Sequence, residues 1–172
     1  MVEKVILIDN KNKPLGEMEK MEAHEKGLLH RAFSIFVFNI KGELLIQRRA
    51  LKKYHCGELW SNTCCGHPRP GEDVIEAAKR RLMEEMGFSC ELTPLMEHYY
   101  EVELDHNLKE HEITHVFVGN YDLEPNINID EACDWEWISL EELAEEIEQD
   151  PEGFTPWFKQ ILPKLADYMT TF

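Results

Sequence analysis

Positive charge is scarce in this chain. Its 18 Lys and Arg stand against 34 Asp and Glu, a net charge of −16. A surface that grips nucleic acid needs a basic footprint, so that class of partner is excluded. No apolar run approaches the ~18 residues that cross a bilayer, so no membrane span is expected. The five cysteines, at 56, 64, 65, 90 and 133, are odd in number and share no repeated spacing. That pattern excludes a disulfide framework and points to free thiols in a reducing cytoplasm. The first apolar run, Val5 to Ile8, is too short and too hemmed by charge for a signal segment. Repeats, low-complexity tracts and linkers are lacking too. A chain of 172 residues, 43% hydrophobic, reads as a single domain over 1–172 with a sizeable core. An acidic protein that takes an anionic substrate must hold it locally, through a few cations or metal ions.

What is present centres on the stretch from Gly66 to Phe88. Turn residues Gly66, Pro68, Pro70 and Gly71 lead into a helix that Gly87 ends. Ile75, Ala78, Leu82 and Met86 recur at helical spacing and would face a core. Arg81, Glu84 and Glu85 share a flank away from that stripe. Carboxylates gathered beside a Gly/Pro loop suit a hard cation such as Mg2+, or else form a solvated acidic face.

Upstream, Lys4 to Asp9 reads as a strand, Asn10 to Pro14 as a turn, and Glu17 to Glu25 as a helix-prone piece carrying Lys20 and His24. His30 opens a β-branched and aromatic strand through Phe38, and Glu43 to Arg49 follows. Two histidines at the entrance to a buried strand hint at a metal. Arg49 to Cys65 reads as loop and holds Lys53 and Trp60. Cys56, Cys64, Cys65 and His67 lack a clean Cys-x2-Cys knuckle, which argues against structural zinc. Downstream, Cys90 to Leu104 reads as one or two strands and Glu110 to Val118 as another, with Glu110 and Glu112 on one face. Those carboxylates either face inward and need a cation, or line an exposed acidic edge. Ala132 to Ile138 is a strand with Trp135 and Trp137 on one face. Ser139 and Glu142 form a capping box for a helix to about Gln149, and Thr155-Pro156 opens the last helix.

Gly66, Glu72, Arg80, Leu82, Glu84, Glu85, Gly87 and Phe88 match the fixed positions of the Nudix box. The one exception is Arg81, where the family's hydrolases carry glutamate; arginine there repels metal and attracts phosphate. Three further stretches are Trp60-Ser-Asn-Thr-Cys-Cys-Gly-His67, Glu110-His-Glu112 and Phe154-Thr-Pro-Trp157. With them the chain resembles the type 1 isopentenyl-diphosphate isomerases over nearly its whole length.

The resemblance implies a Nudix-like α/β/α sandwich, a mixed sheet flanked by helices. It also implies metal ligation by His24, His30, His67, Glu110 and Glu112, a set suited to Mn2+, Zn2+ or Mg2+. Further implied are a Mg2+ at Glu85 bridging to the diphosphate, and Lys20, Arg49, Lys53 and Arg81 as phosphate-binding cations. Cys65 and Glu112 become the proton-transfer groups, assisted by Tyr100, with Trp157 over the substrate. One departure is visible: the His24 to His30 interval is a residue shorter than the bacterial pattern. The implied partner is a small diphosphate, bound by a monomer or homodimer.

Moving a double bond from C3–C4 to C2–C3 requires protonating an unactivated alkene and then removing a proton from C2. The intermediate is a tertiary carbocation. Glu112 is expected as the acid and Cys65, as thiolate, as the base. Water must be shut out, with Glu17 to His30 as a lid, and the face of Trp157 can stabilise the cation. Two other readings stay open. A Nudix hydrolase should keep glutamate at position 81, and a silent binding domain should have lost Cys65 or Glu112.

Overall fold

A computed structural model describes residues 1–169. Its strands are β1 (Lys4–Ile8), β2 (Pro14–Glu19), β3 (His30–Phe38), β4 (Leu44–Arg49), β5 (Trp60–Ser61), β6 (Cys64–Gly66), β7 (Leu92–Glu103), β8 (Lys109–Asn120) and β9 (Ala132–Ile138). Its helices are α1 (Lys20–Lys26), α2 (Val74–Met86), α3 (Leu140–Gln149) and α4 (Pro156–Met169). No helix among the described residues is long and apolar enough to cross a membrane.

Strand β3 is the spine. It runs parallel to β8 from His30 opposite Glu112 to Phe38 opposite Asn120. Its other edge meets β1, β6 and β4 in turn, all antiparallel. Strand β7 extends the sheet beyond β8, β9 pairs with β4, and β2 pairs with β1. One parallel pair among antiparallel ones makes the sheet mixed.

The alternation of side chains along β3 divides the core in two. Phe33, Ile35 and Val37 pack with Ala77, Ala78, Leu82 and Met86 of α2. Phe36 and Phe38 pack on the opposite side with Leu143 of α3 and Phe158, Ile161 and Leu165 of α4. Helices therefore cover both faces, which is the α/β/α sandwich. Both helix starts follow their sequence signals. Asp73 accepts from Ile75 N, and Ser139 accepts from Glu142 N while its hydroxyl donates back to the Glu142 carboxylate.

Four local expectations change. Glu17 to Glu19 belong to β2, paired with β1, so the helix begins only at Lys20. The segment taken as loop up to Cys65 contains β5 and β6. Its small polar residues satisfy backbone groups that a ladder would otherwise pair. Thr63 Oγ1 accepts from Val37 N at 2.9 Å and donates to Leu45 O at 2.6 Å. On α2 the buried stripe takes in Ala77 and leaves Ile75 half-buried. Glu85 also lies inside, not on the outer flank with the exposed Glu84.

Gly87 ends α2 in the left-handed conformation, φ +74°, with its N–H on Met83 O at 3.0 Å. A Cβ there would lie 2.2 Å from the Asn126 carbonyl oxygen. Gly87→Ala should cost about 2–4 kcal/mol, since left-handed strain alone is about 1–3. Urea denaturation checks this; a midpoint unchanged from wild type rules it out.

Candidate active site

The register of three neighbouring strands builds the site. Tyr100 on β7 lies opposite Glu112 on β8, which lies opposite His30 on β3. The three side chains thus form one row across a sheet face. Tyr100 Oη donates to Glu112 Oε2 at 2.5 Å, and His30 Nε2 is 3.1 Å from Glu112 Oε1. Strand β6 delivers His67, whose Nε2 is 2.8 Å from the same oxygen. Glu110, two residues back on β8, faces the same way, and both carboxylates are only 3% exposed. The alternative of an exposed acidic edge is thereby excluded.

Helix α1 folds back over this row. It ends at Gly27, in the left-handed conformation at φ +64°, and so returns His24 to the sheet despite the short interval before His30. The two rings stand 4.8 Å apart, and His24 Nε2 is 3.3 Å from Glu110 Oε1. Each ring is aimed by its own backbone: His24 Nδ1 donates to Lys20 O at 2.7 Å and His30 Nδ1 to Leu28 O at 2.8 Å. With those protons on Nδ1, each Nε2 turns a lone pair inward.

One ligand atom from each of His24, His30, His67, Glu110 and Glu112 lies within 4.8 Å of the others, and all five residues are buried. Among these atoms His24 Nε2 and Glu110 Oε2 have no hydrogen-bond partner. Orphaned buried acceptors in a set of three imidazoles and two carboxylates fit a divalent metal ion. Burial, Glu112 and their mutual contact push the Glu110 carboxyl up to about 6. Burial also opposes the charge on Glu112, but its contacts with Glu110, His30 and His67 prevail and hold it well below the usual range. Burial drives the His67 ring down to about 4. His24 is also penalised by burial, yet the two carboxylates raise it.

Cys65 lies beside Ser34, its register partner on β3. Its thiol donates to Asn62 Oδ1 at 3.1 Å and sits 3.7 Å from Ser34 Oγ. Burial lifts this thiol to about 11, against the pull of those two contacts and of Arg49. Fully buried Asn62 is a junction. Its amide donates to Ile35 O and Cys64 O, while Oδ1 also accepts from Trp157 Nε1 at 3.2 Å. Trp157 is thus fixed by its ring N–H, and the Arg49 guanidinium stands over the ring, 5.3 Å from its centroid. Cys65, Tyr100, Glu110, Glu112 and Trp157 line one cavity.

Lys20, Arg49, Lys53 and Arg81 line the same cavity. Three of these cations are held by carboxylates. Lys20 meets Glu3 at 2.7 Å, Lys53 meets Glu131 at 2.5 Å, and Arg81 meets Glu84, Glu85 and Glu131 at 2.6, 2.5 and 3.2 Å. Glu85 also accepts from Gln47 at 2.9 Å, so its oxygens are engaged by the protein itself. Sequence reasoning missed Glu3, Glu131, His55 and the linking role of Asn62. Asn62 stood in a motif that marked its place, whereas the other three are single polar residues with no periodic signal.

The family model described as the NUDIX domain matches residues 28–158. A relative from Burkholderia multivorans named isopentenyl-diphosphate Delta-isomerase is 51% identical over 164 residues, covering 95% of this chain and 93% of its own. One of the same name from Pectobacterium atrosepticum is 49% identical over 168 residues, covering 98% and 94%. The crystal structure of DR0079 from Deinococcus radiodurans aligns with TM-score 0.79 at 19% identity, covering 94% of this chain and 98% of that one. At that identity the likeness is one of fold.

Protons compete with a metal ion for this cluster. As pH falls through about 6 Glu110 is protonated, and His24 holds its proton more tightly than an ordinary histidine. Mn2+ affinity should therefore drop at least ~10-fold from about pH 7.5 to about 5.5. The free-ion EPR signal in a titration measures it, and a flat affinity over that interval contradicts the assignment.

Proposed function

The chain belongs to the Nudix family and, within it, to the isopentenyl-diphosphate Delta-isomerases; from that premise we propose how its buried His/Glu cluster and Cys65 carry out the reaction. The enzyme converts isopentenyl diphosphate to dimethylallyl diphosphate. The observation that carries the mechanism is the opening of Cys65 and Glu112 onto one cavity.

We propose Cys65 as the donor and Glu112 as the acceptor, the opposite of the roles expected from the reaction alone. The sulfur holds its proton, donated to Asn62, while Glu112 accepts from Tyr100 and has the Nε2 atoms of His30 and His67 at 3.1 and 2.8 Å. The C3–C4 π pair takes the Cys65 proton at C4, leaving a thiolate and a tertiary cation at C3. Glu112 then takes a proton from C2, and that C–H pair becomes the new C2–C3 bond. The proton on Glu112 returns to sulfur through solvent between turnovers. Arg49, which favours the charged form of Cys65, stabilises the thiolate while it lasts. Trp157, held by Ser61 and Asn62, lends a π face to the cation.

A divalent ion on His24, His30, His67, Glu110 and Glu112 supplies positive charge that keeps Glu112 ionised and offsets the burial of two carboxylates; the donor set favours Mn2+ or Zn2+ over Mg2+. Lys20, Lys53 and Arg81 exchange their carboxylate partners for the diphosphate. Glu85 would be the residue to hold a Mg2+ that neutralises the diphosphate, and to do so it would have to give up its contacts with Arg81 and Gln47. The same engagement counts against hydrolysis. Arg81 replaces a metal ligand of the hydrolase box and consumes another.

Incubation with isopentenyl diphosphate and a divalent ion, scoring dimethylallyl diphosphate and free phosphate separately, should yield isomer without phosphate. Phosphate alone would identify a hydrolase. Cys65→Ala should lower turnover by ~10²–10⁴-fold, the range for an acid–base group. Cys64→Ala empties a core position instead, so it should cost about 1 kcal/mol in stability with turnover nearly kept. Equal loss of activity in the two variants contradicts the assignment to Cys65. Arg81→Glu should raise KM, through ~1–3 kcal/mol of lost phosphate binding, far more than it lowers kcat. Steady-state kinetics decide this, and an unchanged KM removes Arg81 from the phosphate site.

A further inference from the structure

His55 stands outside the set of ligand atoms that converge at the cluster, yet it is 2% exposed and touches it. Its Nε2 lies 2.7 Å from Glu110 Oε1. Its other ring nitrogen, Nδ1, is 3.5 Å from Arg49 Nη2, which also donates to the carbonyl of residue 55 at 3.0 Å. Arginine can only donate, so Nδ1 is the acceptor and the single proton of the neutral ring sits on Nε2. A protonated Nε2 offers no lone pair to a metal, but it can donate to a carboxylate. The approach is short and off-line, and Nε2 has no hydrogen-bond partner in this structure.

The loop holds the ring there by construction. Tyr54 packs against it edge-on at 4.1 Å and Trp157 at 5.5 Å. The next residue, Cys56, has φ +52° and its N–H donates to Asp105 Oδ1 at 3.0 Å. At Gly57 a Cβ would lie 2.7 Å from Leu51 O, so that turn admits no larger residue without moving. A loop this constrained presents one side chain at the metal cluster and ties it to a cavity-lining cation.

We infer that His55 is a positioning residue for the metal site, holding Glu110 by a hydrogen bond from its ring N–H in an orientation that Arg49 sets. Partners of this kind, behind a ligating carboxylate, commonly change metal affinity 10–100-fold. Because the ring also touches Trp157 and Arg49, one side chain links the ligand Glu110 to two cavity-lining groups, the Arg49 guanidinium and the Trp157 ring.

This inference rests on the metal-site reading above, and the test separates the two. Mn2+ affinity of the full chain is measured by free-ion EPR for wild type, His55→Leu and His55→Gln. Leucine fills the space without a donor, whereas the glutamine amide can place an N–H near the position of Nε2. We expect His55→Leu to bind ~10–100-fold more weakly and His55→Gln to recover most of that loss. Electron spin-echo modulation should count the same number of bound imidazoles in all three proteins. Equal affinity in the leucine and glutamine variants, or loss of one imidazole in either, overturns the inference; if His55→Leu does not fold, His55→Ala serves against the glutamine variant. A wild type that binds no Mn2+ overturns the site reading itself and this one with it.

Discussion

Two carboxylates buried two residues apart on one strand are the constraint around which this molecule is arranged. An isolated ionised carboxylate in a protein interior costs several kcal/mol, and two of them repel besides. Glu110 and Glu112 endure this because elements distant in sequence converge on them. Strand β3 supplies His30 in register, β7 supplies Tyr100, β6 supplies His67, and α1 turns back to supply His24. Removing any one donor leaves the pair underprovided, so fold and site are stabilised together.

The box helix shows the same economy of charge. Glu72 is not a free ligand: it accepts from Arg80 at 2.7 and 3.0 Å and from the Arg69 amide at 2.9 Å, tying the loop to the helix. Arg81 then ties the helix to Glu131, on the connection before β9. The helix that could gather cations with its carboxylates carries its own cation instead, and with Lys53 it forms a surface suited to a phosphate group.

Asn62 joins the thiol and the indole of the site through one side chain. One side-chain oxygen accepts from both Cys65 and Trp157 and so orients both groups, while burial keeps the proton on the thiol. A thiolate in that place would be penalised chiefly by its burial. The chemistry alone suggests Cys65 as the base, whereas burial favours its protonated form.

The residues alone determined much. The β-branched and aromatic content of His30 to Phe38, the spacing in Val74 to Met86 and the capping at Ser139 are local signals, and local backbone preferences obey them. The motif residues of the site were legible because chemistry restricts which side chains can serve. What they could not reveal was anything set by the meeting of distant segments. The short strands β5 and β6 were hidden because their partners lie on β3 and β4, and small polar residues carry no periodicity. Whether Glu110 and Glu112 faced the core or solvent depended on which strand paired with β8, since alternation defines two faces but not which is buried. His55, a single histidine in a loop, acquired meaning only when tertiary packing set it between Arg49 and Glu110. Sequence spacing governs neighbours along one element, while contact across elements is decided by the packing of the whole.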